Sequence, residues 1–283
     1  MRWEGVHTAL VTPFRDDDGL DVAAFRLQVR RQVDGGVQGV VVAGTTGEAP
    51  TLEDAERSLL LAIAREESKQ RCVVTMGVGT NSTRRTVANI SRAQLEGADA
   101  GLLVLPYYNK PNRAGLLAHV ECCAAEGLPL IVYHVPGRTG QRVSPTDLAA
   151  LCNVRGVVAC KEATGDVTYG QDLMCHTQAP VLSGDDFTWL PLLSVGGTGV
   201  ISVLSNVAPA MTGAVWAAWQ AGKTAEARRI HAELYPVCQA LFAEVNPVPV
   251  KAALAMMGLG SARCRLPLAA GTWPAGVALD GLS

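Results

Sequence analysis

The chain has 283 residues, of which 48% are hydrophobic and 18% charged, with 24 Lys+Arg against 26 Asp+Glu. That apolar share excludes a disordered chain, and a net charge of −2 offers no general basic field for a nucleic acid backbone. The length suits two ordinary domains or one α/β barrel of roughly 250 residues.

Short apolar runs rich in β-branched residues recur along the chain. In order they are His7–Val11, Gly39–Ala43, Cys72–Met76, Gly101–Leu105, Leu130–Tyr133, Val157–Cys160, Val181–Ser183 and Gly199–Val203. Near-continuous hydrophobic runs are the pattern of parallel strands covered on both faces. Amphipathic helical patterns lie between the early runs, over Val22–Asp34, Leu52–Ser68 and Thr83–Glu96. Thr51 is the expected N-cap of the second, with Asp54 at the capping-box position. Eight β-α repeats predict a (β/α)8 barrel rather than a doubly wound sheet. Beyond Val203 the pattern is helical only, over Ala210–Gln220, Thr224–Ala243 and Pro247–Met257. The expected division is therefore a catalytic barrel over 1–222 and a C-terminal helical region over 223–283.

From Phe187 to Gly222 run 36 residues without a charge. A membrane span needs about 20 consecutive apolar residues. Pro191, Gly196, Gly197, Gly199, Asn206 and Pro209 cut this run into shorter pieces, so it reads as barrel interior. The opening Met-Arg-Trp-Glu carries no apolar signal region, and a cytoplasmic protein is expected. The eight cysteines include no C-x-x-C pair, and the five histidines have no metal-ligand spacing. Free thiols and no metal are expected. Gly77-x-Gly79-x-x-Ser82 lacks the third glycine of a dinucleotide fingerprint.

Barrel enzymes build their sites from loops at the C-terminal ends of strands. The polar and glycine-rich signatures of this chain fall there. They are Thr12-Pro13, Gly44-Thr45-Thr46-Gly47-Glu48, Pro106-Tyr107-Tyr108, Tyr133 through Gly140, Lys161-Glu162-Ala163-Thr164-Gly165 and Ser183-Gly184-Asp185-Asp186. Lys161 closes an apolar strand and, by two-residue alternation, shares a face with Val157 and Ala159. Desolvation favours the neutral form of an amine, the form that attacks a ketone. Tyr133 ends another buried strand and offers a phenol for proton transfer. Gly44 and Gly47 permit a tight turn whose backbone N–H groups can grip a carboxylate beside Thr45 and Thr46. Arg138, in a loop, suits bidentate carboxylate recognition. Each residue also has a plain structural reading: a snorkelling lysine, a core tyrosine, a turn, a solvated arginine.

Together these motifs resemble the dihydrodipicolinate synthase family of the Schiff-base pyruvate aldolases, a superfamily that includes N-acetylneuraminate lyase. The match extends to Gly199-Val200-Ile201-Ser202 and to Asn246-Pro247-Val248-Pro249-Val250-Lys251, so it covers nearly the whole chain. The resemblance implies a lyase of lysine and diaminopimelate biosynthesis. It would condense pyruvate with L-aspartate 4-semialdehyde to give 4-hydroxy-tetrahydrodipicolinate, with no cofactor beyond a covalent imine on Lys161. Tyr133, Thr45 and Tyr108 would relay protons, and Thr46 would hold the pyruvate carboxylate. Arg138 would bind the semialdehyde carboxylate, with Gly184 and Ile201 lining the site. A homotetramer is implied, built as a dimer of dimers with Tyr107 and Tyr108 at the tight interface. No nucleic acid or membrane partner is implied. The alternatives are a relative acting on N-acetylneuraminate or a 2-keto-3-deoxy sugar acid, and a non-catalytic ligand-binding barrel.

Two departures from the family pattern stand out. His134 takes the place of the usual Asn. Arg57 and Arg85 replace the histidine and glutamate of the lysine-inhibited type, while Tyr107 and Asn81 match its pocket. A guanidinium repels an ammonium, so weak or absent feedback by L-lysine is expected.

Overall fold

A computed structural model describes residues 3–282. The eight strands are β1 (Gly5–Ala9), β2 (Gly39–Val42), β3 (Val73–Gly77), β4 (Ala100–Val104), β5 (Leu130–His134), β6 (Val157–Glu162), β7 (Val181–Ser183) and β8 (Gly199–Ser202). They follow chain order around a closed barrel. All eight match the apolar runs of the sequence, displaced by no more than two residues at either end. Strands β1, β2, β5 and β8 are buried at every position, as the near-continuous hydrophobic runs require.

The α-helices are α1 (Val22–Asp34), α2 (Asp54–Ser68), α3 (Thr83–Leu95), α4 (Arg113–Ala124), α5 (Pro136–Thr139), α6 (Pro145–Cys152), α7 (Val167–Met174), α8 (Trp189–Ser194), α9 (Pro209–Gln220), α10 (Thr224–Leu241) and α11 (Val248–Met256). Their starts are chemically marked. Asp21, Ser82, Asn112, Ser144 and Asp166 each accept a hydrogen bond from a first-turn backbone N–H, satisfying donors that a helix leaves open. Helix α2 corrects the sequence expectation. Its capping box is Glu53 with Glu56, not Thr51 with Asp54. The Thr51 hydroxyl instead donates to the Glu48 carbonyl at 3.1 Å, so the chain turns once more before the helix begins.

The chain forms two compact units. Among the described residues, one comprises Trp3–Glu4 with Thr75–Ile201, and the other Gly5–Val74 with Ser202–Leu282. In the first, β5 and β6 pair in parallel with Tyr133 opposite Lys161 and His134 opposite Glu162. The register slips between Leu130 and Ile131, so that β6 carries one extra residue at Val158. Two-residue alternation therefore holds from Ala159 to Lys161 but not back to Val157. Strand β6 also continues through Lys161 to Glu162, placing the lysine inside the ladder rather than beyond it.

In the second unit, Asn206 stitches the chain just after β8 to β1. It accepts from the Val11 N–H at 3.2 Å and donates to the Ala9 carbonyl at 2.8 Å. Within the uncharged run, Trp189, Val200, Val207, Ala208 and Val215 are fully enclosed at 0% exposure, which explains why charge is absent there. All eight cysteines are free thiols. Among the described residues no helix is long and apolar enough to cross a membrane.

Candidate active site

In the Thr75–Ile201 unit the centre is Lys161. Ladder pairing on β6 fixes its backbone between Tyr133 of β5 and Leu182 of β7. The side chain is only 6% exposed. Its Nζ lies 4.1 Å from the centre of the Tyr133 ring, and no hydrogen bond or ion pair holds it among the described residues. Tyr133 is equally enclosed, at 5% exposure.

Gly184 follows β7 and passes hard against Lys161. A Cβ there would lie 2.9 Å from Lys161 Cε and 2.5 Å from the Ala163 side chain. Only glycine allows this approach. The Gly184 N–H is tied to the Glu162 carbonyl at 2.6 Å. Ile201 is buried on β8.

Behind Lys161 and Tyr133 the strands present a second layer, His134 and Glu162. Glu162 is buried, and burial raises its carboxyl above the usual range, opposed by the Thr164 N–H that it accepts at 2.5 Å. Burial likewise pushes Asp185 up. His134 is wholly enclosed. Burial, aided by Arg142, pushes it down to about 4, so the ring is neutral near pH 7. It packs against the Tyr169 ring with centres 5.7 Å apart. Neither ring nitrogen finds a hydrogen-bond partner among the described residues. His134 thus belongs to the layer behind Tyr133, packed against Tyr169.

Arg138 lies on the single turn α5, exposed to solvent. Gly140, at φ +74°, closes that turn by donating to the Pro136 carbonyl, a left-handed conformation that glycine adopts without penalty. The Tyr108 N–H donates to the Thr139 carbonyl at 3.4 Å, so the Tyr108 and Arg138 segments are joined through their backbones. Tyr108 is itself left-handed, at φ 74°, and its side chain is 88% exposed. Tyr107 is exposed as well.

Thr45 and Thr46 belong to the other unit, in the turn after β2. Thr45 is half-buried and Thr46 buried. Asn246 Nδ2 donates to Thr46 Oγ1 at 3.0 Å. Thr12 Oγ1 donates to the Gly47 carbonyl at 2.7 Å. Glu48 ends the turn in a left-handed conformation, φ 55°. Its Oε1 accepts from Lys251 Nζ at 2.6 Å and its Oε2 from the Arg265 N–H at 2.9 Å. Sequence reasoning assigned no role to Glu48, Asn246 or Lys251. The only available signal was their membership of the motifs that carried the resemblance.

The structure therefore brings Lys161 against both Tyr133 and Gly184, and joins the segments of Tyr108 and Arg138. Thr45 and Thr46 sit in a turn braced from Thr12 and Asn246. Each strand-borne or loop-borne residue lies at or just beyond the C-terminal end of its own strand, where barrel enzymes carry their chemistry.

The family model described as the dihydrodipicolinate synthetase family matches residues 2–273. The 4-hydroxy-tetrahydrodipicolinate synthase of Nitratidesulfovibrio vulgaris is 47% identical over 272 residues, covering 95% of this chain and 93% of the relative. The crystal structure of dihydrodipicolinate synthase from Thermotoga maritima superposes with a TM-score of 0.93 at 39% identity, covering 96% of this chain and 94% of that one. That of the chloride-inhibited dihydrodipicolinate synthase from Acinetobacter baumannii, complexed with pyruvate, gives 0.92 at 38% identity, over 95% of this chain and 94% of that one. Over nearly its whole length, in sequence and in fold, the chain belongs to the dihydrodipicolinate synthetase family.

Proposed function

We propose that this protein is a lyase that condenses pyruvate with L-aspartate 4-semialdehyde to give 4-hydroxy-tetrahydrodipicolinate, a step of lysine and diaminopimelate biosynthesis. The observation that carries the reading is Lys161, buried, without an ion-pair partner among the described residues and against the ring of Tyr133. An amine kept from water and from counter-charges is a nucleophile toward a ketone.

The Lys161 amine adds to the pyruvate carbonyl carbon, and water leaves as the imine forms. Loss of a methyl proton gives the enamine. Its carbon attacks the aldehyde, whose oxygen takes up a proton. The amino group of the second substrate then closes on the imine carbon and expels the Lys161 amine. Tyr133, Thr45 and Tyr108 relay these protons. Thr46 and the turn around it hold the pyruvate carboxylate, and Arg138 the carboxylate of the semialdehyde. Gly184 and Ile201 line the site through backbone groups. No metal or organic cofactor enters this scheme.

The barrel of residues 1–222 carries this chemistry and the 223–283 region supports it. The protein acts in the cytoplasm as a homotetramer, with Tyr107 and Tyr108 at the tight dimer interface. L-Lysine inhibits it weakly or not at all, because Arg57 and Arg85 meet the effector's ammonium with like charge. Strong inhibition at sub-millimolar lysine would remove that last reading.

The decisive experiment incubates the protein with pyruvate, reduces with borohydride and maps the adduct by mass. A pyruvyl adduct on Lys161 is expected, and its absence sinks the imine scheme. Turnover with aspartate semialdehyde, against N-acetylneuraminate and a 2-keto-3-deoxy sugar acid, then fixes the second substrate.

A further inference from the structure

We infer that Lys251 of α11 is a positioning residue for the reaction, acting through Glu48 on the Thr45–Thr46 turn. The inference rests on the pyruvate-imine reading above.

The turn after β2 has an unusual backbone. Ala43 opens it at φ 51° and Glu48 closes it at φ 55°. Non-glycine residues avoid this region and hold it only where their surroundings impose it. For Glu48 the surroundings impose it directly. Both carboxylate oxygens are engaged, one by Lys251 Nζ and the other by the Arg265 N–H. The ion pair is almost fully enclosed, with both side chains 1% exposed.

Lys251 is itself held in three directions. Besides Glu48, its Nζ donates to the Thr12 carbonyl at 2.9 Å and lies 4.2 Å from the centre of the Phe14 ring. Thr12 in turn grips Gly47 through its hydroxyl, and Asn246, shortly before α11, grips Thr46. Thr46, Gly47 and Glu48 are thus each fixed from outside the turn, by residues that Lys251 touches or that lie beside it in the chain.

A buried ion pair often adds little to stability compared with apolar residues of similar volume. Its use here is directional. The two charges fix where the carboxylate sits, and the carboxylate fixes a left-handed backbone next to the two threonines. The C-terminal helical region, unnecessary for closing a barrel, thereby sets the geometry of the turn assigned to pyruvate.

The test uses the full-length enzyme carrying Lys251→Met with Glu48→Gln. Removing both charges leaves no buried ion without a partner. The expected result is a folded protein with near-wild-type thermal midpoint, pyruvate KM raised about 10-fold or more, and aldehyde KM within about twofold. A misplacement near 1 Å can cost on the order of 100-fold in rate, so imine trapping by borohydride on Lys161 should slow as well. Thr12→Val, nearly isosteric and uncharged, should shift pyruvate KM in the same direction by a smaller factor, and it decides the matter if the double variant does not fold. Wild-type pyruvate kinetics in the folded variants would overturn the inference. So would a proportional loss toward both substrates, the mark of a purely structural role. Failure of the wild type to trap pyruvate is a separate result that removes the imine reading itself.

Discussion

Lys161 and Lys251 are both buried, at 6% and 1% exposure, yet they are opposites. Lys251 has a carboxylate at 2.6 Å, a carbonyl at 2.9 Å and a ring face below it. Burial pulls its amine below the usual lysine value, while Glu48 opposes that pull. Among the described residues the Lys161 amine has no charged or hydrogen-bonding partner, only the ring of Tyr133 beside it. The difference teaches that burial alone does not make a lysine reactive. The partners decide, and an amine committed to a buried carboxylate is a strut.

Mutation should separate the two along different axes. Lys161→Met is expected to lower kcat by about 10⁴-fold, the scale of losing a covalent nucleophile, while leaving the urea midpoint nearly unchanged. A single-turnover assay beside a denaturation curve reads both, and a large stability loss would erase the contrast. Lys251→Met alone should show the reverse emphasis. It strands the Glu48 charge in the interior, which costs about 3–5 kcal/mol of unfolding free energy, measurable as a lowered urea midpoint. Arg138→Ala should raise the KM for the semialdehyde by about 10- to 100-fold, the worth of a hydrogen-bonded charge, and alter pyruvate far less. An equal effect on both substrates would take away its assigned role.

The smallest expected effect concerns the layer behind Lys161. His134 is neutral in the folded protein, pushed down to about 4 from an ordinary value near 6.5. Between those values the unfolded chain binds a proton that the folded chain does not, so His134 makes stability fall as pH drops through that window. His134→Asn removes the liability. At about 1.4 kcal/mol for each pKa unit, the variant should lose about 2 kcal/mol less than wild type between pH 7 and pH 4.5. Parallel stability curves for the two proteins would show that the ring titrates normally in the fold.

The barrel was legible because its signals are local. Period, apolar runs and turn glycines act over a few residues, and all eight strands followed from them. Lys161, Tyr133 and Arg138 were legible for a related reason: each sits at the end of, or just after, a readable strand. The start of α2 was misread because two local rules competed. The Glu53–Glu56 box displaced Thr51, whose hydroxyl had a nearer acceptor in Glu48. The extra residue in β6 left no mark on its hydrophobic pattern. The bracing of the β2 turn was not legible from any local pattern. Thr46 and Asn246 lie 200 residues apart and Glu48 and Lys251 203 apart, and no periodicity links positions at that distance.

Tyr108 carries one more consequence. It is 88% exposed and left-handed. If that phenol completes the relay of a neighbour, a subunit diluted away from its partner loses a proton carrier while keeping its fold and Lys161. Specific activity then ceases to be a constant of the polypeptide. It becomes a binding isotherm in protein concentration, and a rate measured at one dilution describes the association equilibrium as much as the chemistry.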